Sequence, residues 1–235
     1  MQLFFNPDLS DKTTNFTFDK EESRHIIRVL RKKVGDDLQI TNGKGFLFFA
    51  RIANANDKKC SVNIERVEEK QKPWNYFLHI AIAPTKLNDR FEWFLEKSTE
   101  IGIDEITPII CDNSERKVIK FDRFQKVIVS AMKQSLKFQL PKLNPPEKFG
   151  EIIKKDFHEI KLIAHCEDSG KNSLKKLIQP KQSVLILIGP EGDFSLKEIS
   201  KALQHNYIPL SLGESRLRTE TAGIVACNTI SIINE

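Results

Sequence analysis

The side chains best placed to do chemistry lie together near the C-terminus. Arg216, Arg218, Thr219 and Glu220 bunch where the apolar run 207–212 gives way to a second apolar stretch that starts at Ala222. With apolar flanks on both sides, these charges belong at an edge of the core and not on a free solvated face. Arginines there can bind a phosphate or orient a base, and a helix N-terminus beside them adds positive potential. Just upstream, Gly189-Pro190-Glu191-Gly192 follows the apolar run 184–188 and precedes Ser195-Leu196-Lys197-Glu198, a capping box that opens a helix. Such a loop is rigid and sharply turned. Its exposed backbone amides and carbonyls can clasp an adenine or a methionine moiety and leave the side chains free. It is no phosphate cradle: neither GxxxxGK(S/T) nor GxGxxG occurs, which disfavours ATP or NAD by those routes. On residues alone, each loop can equally be an ordinary strand-to-helix connection.

The elements around these loops read as two domains. Within 1–70, the segments 38–41, 46–52 and 61–67 read as strands, the first two joined by Asn42-Gly43-Lys44-Gly45, a hairpin signal. One short helix over 21–31 presents Ile26, Ile27, Val29 and Leu30 as its apolar face, and a small β-barrel carrying one helix fits. The charged stretch 68–73 reads as a linker. From Trp74 the rhythm changes to alternating strand and helix. Strands are expected at 77–83, 106–111, 161–165, 183–188 and 207–212, with helices over 89–101, ended by Gly102, over 121–137, and from 219 to about 233. That alternation implies an α/β fold, a parallel sheet covered by helices, whose ligands bind beyond the carboxyl ends of the strands. The last helix is apolar nearly all round. It must be buried, at a subunit interface or in the domain centre.

Composition excludes several classes. Hydrophobic content of 40% and charged content of 29% suit a globular chain, and the net charge of +5 permits an anionic partner without demanding one. Cys60, Cys111, Cys166 and Cys227 are scattered, so neither a zinc site nor a disulfide framework is supported; they read as small buried hydrophobes in a reducing compartment. No metal is expected. There is no bilayer-spanning stretch, and the start lacks a basic region followed by an apolar one, so a cytoplasmic protein is expected.

Leu187-Ile188-Gly189-Pro190-Glu191-Gly192, followed by Leu212-Gly213 and Leu217-Arg218-Thr219-Glu220-Thr221-Ala222, strongly resembles the RsmE family. Its members are S-adenosylmethionine-dependent methyltransferases of the SPOUT class that modify N3 of a uridine in 16S ribosomal RNA. Glu96 to Gly102 looks like the family's helix ending in Glu-Leu/Ile-Gly. Ser114-Glu115-Arg116 resembles its short loop after the second strand. His25-Ile26-Ile27-Arg28-Val29-Leu30-Arg31 resembles its H-x-x-R-V-L-R. The resemblance covers essentially the whole chain. It implies a PUA-like RNA-binding β-barrel over 1–70 and, over 74–235, a SPOUT-type parallel sheet with a C-terminal deep trefoil knot, an exception to the usual absence of knots. It also implies a homodimer acting on the small ribosomal subunit. S-adenosylmethionine would lie bent in the knot, held by Ile188, Gly189, Pro190, Glu191, Gly192, Leu210, Leu212, Gly213, Leu217, Arg218 and Thr219. Three features depart from the family: Asp193 where a second glycine is frequent, Ser215 in place of the usual arginine of L-G-x-R, and the stretch Phe138-Gln139-Leu140-Pro141 in place of a Gly-Arg type.

Methylation at uracil N3 requires loss of a proton bound a few pH units above neutrality, at a cost of about 3 kcal/mol, or roughly 1.4 kcal/mol per unit. A general base or a cation facing the uracil anion can supply it. Arg218 suits the second route and Glu220 the first; either can instead be structural. Arg24, His25, Arg28, Arg31, Lys32 and Lys33 concentrate on and just after one helix, as phosphate contacts or a solvated helix face would, and Arg116 and Arg216 join them as RNA-binding candidates. The alternatives are a SPOUT ribose 2′-O-methyltransferase and a non-catalytic RNA-binding module. The N-terminal barrel and the Leu-Arg-Thr-Glu-Thr motif favour base methylation.

Overall fold

The computed structural model describes residues 2–167 and 170–235; Met1, read above with the start of the chain, lies outside them. The chain divides into one unit of Met1–Pro73 with Met132–Leu140, and a second of Trp74–Ala131 with Pro141–Glu235.

The first unit holds β1 (Leu3–Phe5), β2 (Asn15–Thr17), β3 (Asp37–Thr41), β4 (Phe46–Asn54) and β5 (Ser61–Glu69) in one sheet, ordered β1-β3-β4-β5-β2. Register shifts at Phe49/Ala50 and Ile52/Asn54 interrupt the β4–β5 ladder, and irregularities of this kind bend a sheet. Phe4, Phe18, Ile40, Phe48, Ile52 and Val62 pack with Ile26 of the helical segment. That segment starts as α1 (Lys20–Arg24), capped by Asp19, whose carboxylate accepts from Glu22 N at 2.8 Å, and continues as one π turn over His25–Val29. The π turn corrects the expected apolar face. An i→i+5 circuit is wider than an α turn, so a residue three after Ile26 no longer falls beside it. Val29 is accordingly 67% exposed, whereas Ile26 is fully buried.

The linker also begins later than the charge pattern indicated. Glu68 and Glu69 continue β5 opposite Leu47 and Phe46, and Lys70 N donates to Gly45 O at 2.7 Å. The hairpin turn 42–45 explains why residues 132–140 join this unit. Gly45 N donates to Phe138 O and Leu140 N to Gly43 O, both at 2.8 Å.

The second unit runs β6 (Phe77–Ile82), α2 (Asn88–Ile101), β7 (Glu105–Ile110), α3 (Phe121–Gln134, whose last residues belong to the first unit), β8 (Lys142–Leu143), β9 (Glu147–Lys148), α4 (Phe149–Ile152), β10 (Ile160–Ala164), β11 (Asn172–Ser173), α5 (Leu174–Leu177), β12 (Ser183–Ile188), α6 (Leu196–Gln204), β13 (Ile208–Ser211) and α7 (Thr219–Ile233). The strands pair in parallel in the order β11-β13-β10-β12-β6-β7-β8, with β9 on β7. Strand alternation sends Ala81, Ala83, Leu185 and Leu187 into one core with Phe149 and Ile152 of α4 and Ile199 and Ala202 of α6. On the opposite face α7 crosses α2 closely: a Cβ on Gly223 would lie 2.6 Å from the Phe94 ring and 3.1 Å from Ile82. Gly223, Ala226, Cys227 and Ile230 are buried there, while Ile232 is 50% exposed, so the last helix is buried along one side only.

Candidate active site

Pairing, not chain order, builds the site. β10 lies between β12 and β13, so the loops that leave the carboxyl ends of all three strands meet at one edge of the sheet. They enclose a cavity of about 800 Å³, within the range of small-molecule sites. Ile188, Gly189, Pro190, Glu191, Gly192, Leu210, Leu212, Gly213, Leu217, Arg218 and Thr219 all line it, as does Arg216.

The loop after β12 is held from several directions. Asp193 N donates to Pro190 O at 2.9 Å, closing the turn, and the Ser195 hydroxyl and Glu198 carboxylate cap α6 reciprocally at 3.2 and 2.9 Å. Glu191 Oε1 accepts from Lys86 N at 2.9 Å. Asn113 Nδ2 donates to Gly192 O at 3.2 Å and Asp193 O at 3.1 Å, and Glu198 Oε1 accepts from Asp112 N at 3.0 Å. The glutamate of Gly-Pro-Glu-Gly thus braces the loop against the backbone at Lys86.

The loop after β13 is built differently. Gly213 has φ 129°, a backbone closed to residues with a Cβ, and Ser211 Oγ lies within hydrogen-bond reach of its N and O. Arg216 and Arg218 are exposed and make no side-chain hydrogen bond or ion pair among the described residues. α7 then starts, and Thr219 Oγ1 donates to Gly189 O at 3.0 Å, tying the two loops together.

Glu220 is not brought to the cavity. It is 4% exposed, lies 3.8 Å from Arg90 Nε of α2, and keeps one carboxylate oxygen without a partner among the described residues. Arg116 is also committed: its guanidinium donates to Thr85 O at 3.1 Å and to Lys86 O. In the first unit, Arg28 pairs with Asp57 at 2.7 Å and holds that carboxyl below the usual carboxylate range. His25 faces Glu22 at 3.7 Å, and Lys32 Nζ donates to Asp37 O at 3.3 Å. Arg24, Arg31 and Lys33 are exposed.

Sequence reasoning missed the third wall, the loop after β10, which supplies Ala164, His165, Cys166, Glu167 and Lys171. No local motif marks it; only the pairing of β10 with both neighbours does. His165 is 7% exposed, neither ring nitrogen has a partner among the described residues, and burial together with Lys171 pushes its pKa down, which favours the neutral ring. Cys166 corrects the reading of four buried cysteines: it is exposed beside the cavity, because it follows the strand end, whereas Cys60, Cys111 and Cys227 are buried. Burial and the Asp193 carboxylate push its thiol pKa up, which keeps it protonated. Among the described residues no group of histidines, cysteines or carboxylates is arranged to hold a metal ion, and no helix is long and apolar enough to cross a membrane.

Comparison with known proteins agrees across the chain. A family model described as an RNA methyltransferase domain matches residues 72–231, and one described as an RNA methyltransferase PUA domain matches 18–65. The ribosomal RNA small subunit methyltransferase E of Buchnera aphidicola subsp. Schizaphis graminum is 30% identical, over 91% of this chain and 88% of its own. A probable rRNA-methyltransferase from Porphyromonas gingivalis has 43% identity and a TM-score of 0.93, covering 100% of this chain and 98% of its own. A putative methyltransferase from Legionella pneumophila, solved in complex with the bound cofactor SAM, has 29% identity and a TM-score of 0.89, covering 99% and 97%. With both units matched, and with the motifs of the two loops meeting in one cavity, the chain belongs to the RsmE family, that of ribosomal RNA small subunit methyltransferase E.

Proposed function

We propose that this chain transfers a methyl group from S-adenosylmethionine to N3 of a uridine in 16S ribosomal RNA of the small subunit, as a cytoplasmic homodimer. The observation that carries the reading is the convergence of both motif-bearing loops on one cavity. The cavity suits the cofactor. Ile188, Leu210, Leu212 and Leu217 provide apolar wall for an adenine, and a Cβ on Gly213 would meet no atom within 4 Å, so the missing side chain leaves open space there. Glu167, Glu191, Asp193 and Glu214 line it against three cations, Lys171, Arg216 and Arg218. That balance suits a molecule bearing a sulfonium, an ammonium and one carboxylate.

S-adenosylmethionine supplies an electrophilic methyl group on sulfur. The chain's part is to hold the target nitrogen in line and to make its deprotonation affordable. Arg218, lining the cavity and without a partner among the described residues, is the cation we assign to the uracil anion at O2 or O4. The proton-acceptor role considered for Glu220 has less support, since that carboxylate lies against Arg90; we assign it to holding the start of α7 on α2. N3 is on the Watson–Crick edge, so the uridine must be unpaired or flipped out.

The same reading takes the second unit as a SPOUT domain with a deep trefoil knot, and the first as a PUA-like RNA-binding domain. Arg24, His25, Arg28, Arg31, Lys32 and Lys33 are the proposed phosphate contacts of the first unit, with Arg116 and Arg216 in the second. Arg24, Arg31, Lys33 and Arg216 are the stronger candidates, because Arg28 and Arg116 are already engaged. Assembled small subunits lacking the modification, incubated with the protein and cofactor, should yield 3-methyluridine by nucleoside mass spectrometry. A 2′-O-methylated nucleoside would shift the target to ribose, and RNA binding without methylation would make the chain a binding module.

A further inference from the structure

Asp193 follows Gly192 in the loop after β12. Its backbone is left-handed, φ 62°, a conformation that glycine adopts freely and aspartate only at some cost. The aspartate provides in return two bonds that glycine cannot make. Cys166 N donates to Oδ2 at 2.7 Å and Phe194 N donates to Oδ1 at 2.8 Å. The first bond joins the loop after β10 to the loop after β12, two walls of one cavity. Asn113 Nδ2 holds the Asp193 carbonyl at 3.1 Å, and Lys171 Nζ donates to His165 O at 3.2 Å, so the peptide group joining His165 and Cys166 is held at both its carbonyl and its N–H. Asp193 has no ion-pair partner among the described residues, and bonds from backbone N–H groups to an ionised carboxylate are among the stronger ones.

We propose that Asp193 is a positioning residue: its carboxylate clasps the loop after β10 onto the loop after β12, so that S-adenosylmethionine meets a preformed third wall. The proposal rests on the cofactor reading above. Without the clasp, the cofactor must order that wall as it binds, and affinity falls accordingly.

Asp193→Gly relaxes the backbone and removes both bonds, while Asp193→Asn keeps the shape and the left-handed tolerance but only one acceptor oxygen. Three quantities decide: cofactor affinity by titration calorimetry, melting temperature, and hydrogen exchange at the Cys166 amide. Asp193→Gly should melt close to the parent, bind the cofactor about tenfold more weakly, and exchange the Cys166 amide faster with or without cofactor. Asp193→Asn should recover part of both. Unchanged affinity in Asp193→Gly, whatever the exchange rate, overturns the proposal, and so does an affinity loss that merely tracks lost stability in both variants. If the parent protein itself bound no S-adenosylmethionine, the cofactor reading would fall, and the preformed-wall role with it; exchange at Cys166 would then report whether the clasp exists as a purely structural contact.

Discussion

The loops after β12 and β13 line the same cavity, yet one is braced and the other is left free. The first gives its glutamate to Lys86 N, its carbonyls to Asn113 and its aspartate to Cys166. The second presents Arg216 and Arg218 without partners among the described residues. A braced backbone suits a small ligand that must be held in one pose, since ordering costs are met during folding and not at binding. Unpaired cations suit a polyanion and a charge that develops only during reaction, since a pre-formed ion pair would have to be broken first. The division between grip and chemistry follows from where the hydrogen bonds are spent.

The largest effect should come from the free loop. Arg218→Ala is expected to lower single-turnover methyl transfer by about 10²–10³-fold while calorimetric cofactor affinity stays within about tenfold. Lost cofactor binding would move Arg218 to the grip and erase the contrast. For the braced loop, Asn113→Ala removes the amide that reaches it from the segment after β7 and serves Gly192 O and Asp193 O. It should cost about 1 kcal/mol in urea unfolding and weaken cofactor binding about fivefold, with turnover at saturating cofactor retained. A fall in saturated turnover instead would show that the brace also sets the reacting geometry. Arg216→Ala should weaken RNA binding only a few-fold and reduce the slope of log affinity against log salt by about 1. An unchanged slope would remove Arg216 from the RNA-facing set.

The smallest effect concerns the wall between the two loops. His165 has a folded-state pKa below the ordinary histidine value near 6.5, so the unfolded chain takes up a proton that the folded chain refuses. Stability should therefore be full above that value and fall as the pH drops below it. His79, pushed down to about 4 by burial in the sheet, acts in the same direction. His165→Gln should shallow, and not abolish, the loss of urea midpoint between neutral and mildly acid pH. An identical acid limb in the variant would assign the whole effect to His79 and other groups.

Much of this site is legible locally. Ser195 and Glu198 form a capping box because the partners are three residues apart on the first turn of a helix, and the apolar runs become strands because both sheet faces are covered. Adjacent charges are harder to read. Arg218 and Glu220 are two residues apart, but Thr219 opens α7, and successive helical positions point in different directions. Arg218 therefore lines the cavity while Glu220 meets Arg90. Val29 left its expected face because a π turn replaced an α turn.

The sequence by itself determined the chemical groups, the elements that carry them and the two motifs of the RsmE family, since caps, turns and strand runs depend on neighbours a few residues apart. Only the tertiary structure decided that β10 sits between β12 and β13, that its loop is the third wall, that residues 132–140 join the first unit, and which cations stay unpaired. Those outcomes depend on hydrogen bonds between segments far apart in the chain, and no local pattern encodes which partner a strand edge or a carboxylate will find.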